Sequence, residues 1–193
     1  NTNDQIISDK YDIINYRATV NLAHQASKKN IKRFIYISSL KVVGDKIKFL
    51  DSDKKIDITN FNDPYTSSKL KAENKLLDIA RKTNMEVVII RPPLIYGPGV
   101  KANFLSMIKW LDKGIPLPFG SINNKRSFIS LENLSNFIYL CLINKNAKNE
   151  IFCISDNEDI STTNLMRKIN SFLKKKDRLI SVPPFLLYLI FIL

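Results

Sequence analysis

The hydrophobic and polar positions along this chain show helical spacing in some stretches and short apolar runs in others. In residues 9–29 the apolar side chains recur at helical spacing, which predicts an amphipathic helix. A second pattern of this kind begins at Pro64, a residue that suits the first turn of a helix, and runs to about Asn84. The apolar face of this second helix is predicted to consist of Ala72, Leu76, Leu77 and Ala80.

Two short apolar runs predict strands on either side of the second helix. Residues 34–37 and Glu86–Arg91 are rich in β-branched, aromatic or other large apolar side chains. The order strand, helix, strand is typical of a βαβ unit, in which a parallel sheet is covered on both faces. Residues 40–63 form a long polar connection between the first strand and the helix, and such loops are often functional.

The second half of the chain has shorter elements, and the fold class is therefore predicted as α/β followed by a small α+β lobe. Gly114 should end one helix, and Ser161 should cap another. The predicted helices are 104–113, Leu131–Ile143 and a last one that extends to Leu173, and the predicted strands are 116–119, 127–130 and 150–154.

Composition indicates a globular protein without a metal site. The 193 residues are 45% hydrophobic and 25% charged, which is enough apolar material for a core. Cys141 and Cys153 lack the C-x-x-C spacing of zinc or redox motifs, so both are predicted to be buried, reduced thiols. The single histidine, His24, is predicted to be a helix-surface or packing residue of the first helix.

The net charge of +12 leaves nucleic-acid binding as an alternative, but the lysines are scattered except at residues 174–176. No nucleic acid is therefore expected as a partner. Residues 185–193 are nine consecutive apolar residues, whereas a membrane-spanning helix needs about 20. Membrane association is not expected unless this apolar segment continues.

A serine, a tyrosine and a lysine form a candidate proton-transfer set. Tyr65 and Lys69 are four residues apart on a predicted helix and so share a face, and Ser38 and Ser39 end the preceding strand. A tyrosine with a pKa of about 10 is a poor base at neutral pH. A nearby ammonium lowers that pKa, and a serine hydroxyl can hold a substrate oxygen beside the phenol while a cofactor carries hydride.

Three motifs carry a family resemblance. Residues 36–44 (Tyr-Ile-Ser-Ser-Leu-Lys-Val-Val-Gly), 63–69 (Asp-Pro-Tyr-Thr-Ser-Ser-Lys) and 91–99 (Arg-Pro-Pro-Leu-Ile-Tyr-Gly-Pro-Gly) resemble those of the extended short-chain dehydrogenase/reductases, the NAD-dependent nucleotide-sugar epimerase/dehydratase family. Residues 100–104 and 114–127 resemble the branch that acts on UDP-N-acetylhexosamines, which contains 4-epimerases and 4-keto reductases of surface-polysaccharide pathways.

The resemblance implies a Rossmann-like doubly wound parallel sheet, of which this chain holds the C-terminal part. Residues 1–113 would form a partial NAD(P)-binding domain, and residues 114–193 a substrate-binding lobe interleaved with it. The chain has five glycines and no G-x-x-G-x-x-G loop, so the cofactor would be NAD or NADP without its usual pyrophosphate loop. The family pattern therefore implies an N-terminally truncated chain that binds a dinucleotide poorly on its own.

The resemblance also implies a role for individual residues. The catalytic set would be Ser39, Tyr65 and Lys69, with Tyr65 as acid/base and Lys69 lowering its pKa. The family pattern places the remaining positions in two groups: cofactor binding by Asn15, Ser38, Tyr65, Lys69, Pro92 and Leu94, and substrate binding by Ser39, Asn103 and Arg126.

The implied function is oxidation or reduction at C4 of a UDP-amino sugar in the cytoplasm, by a homodimer formed through residues 9–29 and 64–84. Epimerase and reductase stay open, because both use the same serine, tyrosine and lysine. An alternative is a truncated, non-catalytic remnant or nucleotide-sugar-binding module of the same family. A basic nucleic-acid-binding domain is the remaining alternative.

Overall fold

The computed structural model describes residues 2–46, 63–183 and 185–187, in two compact units. The first unit contains Asn1–Pro93 and Glu132–Ile154, and the second contains Leu94–Leu131 and Ser155–Leu193. The predicted connection at 40–63 is described only in part: residues 40–46 form a 3-10 helix, and residues 47–62 lie outside the description.

A three-stranded parallel sheet forms the centre of the first unit, in the order β1-β2-β5. Strand β1 is Arg33–Ile37, β2 is Glu86–Arg91 and β5 is Ile151–Cys153. The register pairs Phe34 with Val87 and Ile89 with Ile151. The predicted strands at 34–37 and Glu86–Arg91 and the parallel sheet are confirmed, and the strand predicted at 150–154 is one residue shorter at each end.

Helices cover both faces of this sheet. A continuous helix, Thr2–Lys28, and α3, Pro64–Lys82, pack on one face around Ala23, Leu76 and Val87. Ile151 packs against the same cluster, so the next residue on the strand, Phe152, points to the opposite face. There the Phe152 ring contacts Phe137, on helix α5 (Leu131–Ile143), edge to face at 5.2 Å. The predicted doubly wound α/β architecture is confirmed.

The first helix is longer than predicted and is not uniform. It consists of α1, Thr2–Tyr11, a π-helical segment, Asp12–Ala18, and α2, Thr19–Lys28, whereas the prediction began at residue 9. Apolar periodicity could not reveal the early start, because Ile6 and Ile7 are exposed rather than packed on the core. His24 is exposed on this helix, as predicted.

Arg33 joins three elements of the first unit. Its guanidinium donates to the Glu86 carboxylate, with an Nε to Oε2 distance of 2.8 Å. It also donates to the backbone carbonyls of Cys141, Leu142 and Asn144 at the end of α5, Leu131–Ile143. The last carbonyls of a helix lack helical partners, so a cation there satisfies them and favours the helix dipole.

The main elements in the described part of the second unit are the helices α4 and α6 and a two-stranded parallel sheet. Helix α4 is Ala102–Asp112, α6 is Thr162–Phe172, and strands β3, Leu94–Tyr96, and β4, Phe128–Ser130, pair with each other. Leu111, Leu117 and Met166 form its core. Gly114 ends the α4 segment with φ +67°, and Ser161 caps α6 by accepting from the Asn164 N–H, both as predicted.

Two further predictions differ from the structure. Residues 116–119 do not form a strand, because Pro116 and Pro118 remove alternate donors and leave one bridge, Leu117 to Leu179. Cys153 is exposed rather than buried, because the short β5 is an edge strand. The compact units divide at residue 93, with residues 132–154 in the first unit. The expected domains, residues 1–113 and an interleaved lobe of residues 114–193, stay a prediction.

A buried ion pair connects α3 to the end of β2. The guanidinium of Arg91 donates to both carboxylate oxygens of Glu73, at 3.1 Å from Nε and 2.6 Å from Nη2. The two side chains are 9% and 1% exposed. Burial acts to lower the pKa of Arg91, but the Glu73 carboxylate and the Cys153 thiol act to raise it, and the net direction is upward. A bidentate geometry of this kind offsets much of the desolvation cost.

Replacing Glu73 by alanine should destabilise the chain by about 3–5 kcal/mol, because the Arg91 charge would stay buried without its partner. The matched control on the same helix is Asp78→Ala, which breaks the exposed pair with Arg81 and should cost less than about 1 kcal/mol. Urea unfolding followed by circular dichroism measures both. Equal losses in the two variants would contradict a special role for the buried pair.

Candidate active site

The candidate site lies at the carboxyl ends of β1 and β2. In parallel sheets the ligand crevice is found at this edge. Ser38 and Ser39 follow β1, and Pro92 follows β2. The Ser38 N–H donates to Ile90 O at 2.7 Å, and the Leu40 N–H donates to Pro92 O at 2.8 Å. These bonds hold the two strand ends side by side and fix both serines at the edge of the sheet.

The start of α3 brings Tyr65 and Lys69 to the same region. Asp63 is the N-cap: its carboxylate accepts from the Tyr65 N–H at 3.2 Å and from the Thr66 hydroxyl at 2.6 Å. Partial burial acts to raise the pKa of Asp63, but these hydrogen bonds leave it below the usual range. Proline at the first helical position removes one unpaired donor.

The phenol of Tyr65 is half-buried and hydrogen-bonds the Ser39 side chain. Tyr11 packs against its ring edge to face at 5.6 Å, and the Lys41 ammonium lies 5.8 Å from the ring centre. Burial raises the pKa of Tyr65, the Ser39 hydrogen bond opposes that rise, and the net direction is upward. The phenol is therefore held in its protonated form at neutral pH.

Lys69 makes different contacts from those expected. Its ammonium donates to Ile37 O at 2.9 Å and lies 4.8 Å from the centre of the Tyr36 ring. Burial lowers the pKa of Lys69, and Glu73 one turn further along α3 partly offsets this. The sequence predicted that Lys69 would lower the pKa of Tyr65, but in this geometry that pKa is raised because burial outweighs the other influences.

Asn15 is connected to the start of α3 through Ser68. Its side-chain amide donates to Ser68 Oγ at 3.1 Å, and the Ser68 hydroxyl donates to Tyr65 O at 2.7 Å. Asn15 lies in the π-helical segment, and π-helical turns inside longer helices are frequent at functional sites. The structure therefore brings Asn15, Ser38, Ser39, Tyr65, Lys69 and Pro92 together within the first unit.

The residues at this edge fit the nicotinamide-ribose end of a dinucleotide. The Ser38 hydroxyl is buried and finds no hydrogen-bond partner within the described part of the chain. A buried hydroxyl without a partner costs free energy, so this group is ready to bond a ribose or amide oxygen. The glycine loop that would hold a pyrophosphate is not part of this sequence.

Leu94, Asn103 and Arg126 belong to the second unit. Leu94 pairs with Phe128 between β3 and β4, and the backbone of Arg126 exchanges two hydrogen bonds with Ile160. The side chains of Asn103 and Arg126 are exposed.

The second unit contains a cavity of about 450 Å³. Two of its lining residues, Tyr96 and Phe104, are close in sequence to Leu94 and Asn103. Its aromatic residues are Tyr96, Phe104, Phe128 and Phe172. The Tyr96 hydroxyl donates to Asp156 at 2.8 Å. Aromatic walls with a few polar groups are typical of small-molecule sites.

Sequence reasoning missed three residues of the first site: Tyr11, Tyr36 and Ser68. Tyr11 precedes Asn15 by one helical turn, so the spacing of four could have identified it as a neighbour. Tyr36 is the buried residue of β1, and the Lys69 ammonium lies over its ring. No local signal marks Ser68, because its role depends on a partner 53 residues away.

The pKa of Tyr65 should lie above its usual value of 10.0, because burial disfavours the charged phenolate. Carbon-13 NMR of labelled tyrosine rings, with Tyr65→Phe to assign the signal, measures the midpoint. Ser39→Ala should move the midpoint further up, because the hydrogen bond from Ser39 lowers that pKa. A midpoint below 10.0 in the unmodified chain would contradict this description of the site.

Known proteins resemble this chain in sequence and in fold. It is 45% identical over 174 residues to the UDP-glucose 4-epimerase of Vibrio cholerae, covering 90% of this chain and 53% of that protein. It is 29% identical over 168 residues to the N-acetyl-alpha-D-glucosaminyl-diphospho-ditrans,octacis-undecaprenol 4-epimerase of Escherichia coli O157:H7, covering 86% and 50%. The chain thus spans about half the length of these relatives.

The fold has a counterpart in the UDP-glucuronic acid 4-epimerase of Bacillus cereus, solved in complex with NAD. The TM-score is 0.76 and the identity 22%, over 87% of this chain and 55% of that one. The sequence model of the NAD dependent epimerase/dehydratase family matches residues 3–155. With its parallel sheet, its Ser-Tyr-Lys set and this match, the chain belongs to the NAD dependent epimerase/dehydratase family.

Proposed function

We propose that the protein exchanges a proton and a hydride at C4 of a UDP-amino sugar, with NAD or NADP as cofactor. The observation that carries the proposal is the hydrogen bond between Ser39 and the half-buried phenol of Tyr65, at the sheet edge where the family binds its ligands. The resemblance of residues 100–104 and 114–127 to the UDP-N-acetylhexosamine branch supports an amino sugar. Surface-polysaccharide biosynthesis is the pathway we infer for it.

Tyr65 would be the group that moves the proton. A phenol whose pKa is raised is protonated at neutral pH, so it can deliver its proton to a ketone oxygen held by the Ser39 hydroxyl. In the reverse direction the deprotonated phenol oxygen of Tyr65 would take the proton of the C4 hydroxyl. Ser39 lowers the pKa of Tyr65, and so it makes this second direction less costly.

Lys69 would act mainly by position. The Ile37 carbonyl and the Tyr36 ring hold its ammonium at the sheet edge, where it could donate to a ribose hydroxyl. Ser38, Asn15 and Pro92 lie at the same edge and would surround the nicotinamide end. The bound dinucleotide supplies hydride transfer, which no side chain can provide.

The nucleotide diphosphate would bind in the second unit. Asn103 and Arg126 match family positions for this group, and a planar guanidinium is well suited to a diphosphate. The aromatic cavity lined by Tyr96, Phe104 and Phe128 has the size and lining for a nucleoside or sugar. Leu94, which was expected near the nicotinamide, stays a prediction.

Two substrates distinguish the remaining alternatives. An epimerase returns the hydride to the sugar and would convert UDP-N-acetylglucosamine without added reductant. A 4-keto reductase would consume NADH with a UDP-4-keto-hexosamine. The same amino sugar on a polyprenyl diphosphate is a third substrate to test, because the Escherichia coli relative acts on that class. No turnover by the full-length protein with any of them would favour the non-catalytic remnant.

Tyr65→Phe should lower kcat by about 10²–10⁴-fold on the substrate that the full-length protein turns over, because the proton donor is lost. The matched control is Tyr139→Phe on α5, since the Tyr139 side chain is 61% exposed and lies outside the proposed site. Turnover is followed by chromatography of the UDP-sugars. A Tyr65→Phe enzyme with unchanged kcat would remove the proposed acid/base from the mechanism.

We also propose a homodimer through the first helix and α3. Ile13, Ile14 and Leu22 are more than half exposed on the first helix. Large apolar side chains grouped on one exposed element mark an interaction surface. Family resemblance supports the same pair of helices as a dimer contact.

Ile14→Glu should convert the dimer to a monomer in light scattering coupled to size-exclusion chromatography, because the charge would be buried at the contact. Ile143→Glu is the matched control, since Ile143 is an equally exposed apolar residue on α5. Loss of the dimer in both variants, or in neither, would argue against this interface.

A further inference from the structure

The second unit carries a basic surface that the proposed site does not use. Five cationic side chains from two separate segments line one depression, together with Asp112 and Gly114. All five are exposed. The cations are Lys113, after α4, and Lys174, Lys175, Lys176 and Arg178, after α6.

Backbone pairing holds the two segments side by side. The Leu117 N–H donates to Arg178 O at 3.3 Å, the Ile180 N–H donates to Leu117 O at 2.8 Å, and the Gly120 N–H donates to Ile180 O at 2.9 Å. A Cβ at Gly120 would lie 2.9 Å from the Ile180 carbonyl carbon, so this approach requires glycine. The backbone fold therefore places the cationic side chains of the two segments next to each other.

Most of this charge is not neutralised. Lys175 pairs with Asp112 at 3.3 Å, and Arg178 donates to Gly114 O at 3.1 Å. Within the described residues, Lys113, Lys174 and Lys176 have no acidic partner within ion-pair distance. The nearby Asp177 pairs with Arg167 at 3.1 Å.

Large apolar side chains are exposed beside the cations. Trp110 is 47% exposed, Ile115 41% and Ile180 53%. The Ile115 N–H donates to Trp110 O at 3.2 Å, and Ile180 belongs to the backbone pairing described above. The chain then continues through Phe185, which is 65% exposed, into the apolar residues 185–193. We call Lys113, Lys174, Lys175, Lys176, Arg178, Trp110, Ile115 and Ile180 the basic-apolar surface.

We propose that the basic-apolar surface docks the protein on an anionic lipid bilayer. Lysines near a membrane are attracted to anionic headgroups, and tryptophan and aliphatic side chains enter the headgroup region. A nucleic acid would use the cations but offers no apolar layer for Ile115 and Ile180. No helix in the described ranges is long and apolar enough to cross a membrane. The proposal does not depend on the activity proposed above.

Trp110 is the single tryptophan of the chain, so its fluorescence reports this surface directly. The full chain is mixed with vesicles of phosphatidylcholine containing about 30% phosphatidylglycerol, or none, and with vesicles whose acyl chains carry bromine. We expect binding to the anionic vesicles only, a blue shift of the emission, and quenching by bromine. Binding should weaken steeply as salt is added.

A variant pair separates the surface from the overall charge. Lys113→Gln with Lys174→Gln and Lys176→Gln should weaken vesicle binding by about tenfold or more. The control, Lys28→Gln with Lys29→Gln and Lys148→Gln, removes the same charge from exposed lysines of the first unit and should change binding less than about twofold. Circular dichroism checks that each variant is folded.

Several outcomes would overturn the proposal. These are no vesicle binding, equal weakening in both variants, or binding without quenching of Trp110, which would place another surface on the membrane. A single-stranded oligonucleotide that binds more tightly than the vesicles and displaces them would identify the surface as a nucleic-acid site instead. The quenching test uses the unmodified chain. It therefore still decides the question if the lysine variants fail to fold.

Discussion

Two ionised side chains lie in the core of the first unit, and the position of α3 depends on them. Glu73 and Arg91 are nearly inaccessible, and each would be unfavourable there without the other. Their two hydrogen bonds fix both the rotation of α3 and its height along β2. Tyr65 and Lys69 precede Glu73 by two turns and one turn on the same helical stripe. An interaction in the core therefore determines where the reactive phenol meets the end of β1.

The local environment divides the roles of the site residues. Burial raises the pKa of the Tyr65 phenol, and the Ser39 hydrogen bond acts in the opposite direction. Lys69 is held by a carbonyl and an aromatic ring rather than directed at the phenol. In the reaction proposed for this site, the raised pKa of Tyr65 would favour proton delivery over proton removal. A ligand at the edge of the sheet would have to lower that pKa for the proposed reaction to run in both directions.

The sequence predicted the elements whose signals are local. Asp63 and Pro64 mark the start of α3, and the apolar run of β2 is uninterrupted, so both were predicted within two residues. Leu131–Ile143 was predicted at its observed limits. Contacts between distant segments could not be predicted in this way. Cys153 is exposed because β5 is an edge strand. Lys113 and Lys174 line one depression because α4 and α6 share a core and Leu117 pairs with Leu179. The return of residues 132–154 to the first unit is likewise a property of topology.

That return of the chain determines the order in which the protein can fold during synthesis. The central strand β2 is complete at Arg91, but its second neighbour, β5, begins only at Ile151. The acceptor of the Val87 N–H is the side-chain oxygen of Asn149, which is synthesised 62 residues later. Until the ribosome has released that segment, one side of β2 is without its hydrogen-bonding partner. A nascent chain that stalls in the second unit would therefore expose an unpaired apolar strand to its neighbours, and this interval is when it would most depend on a chaperone.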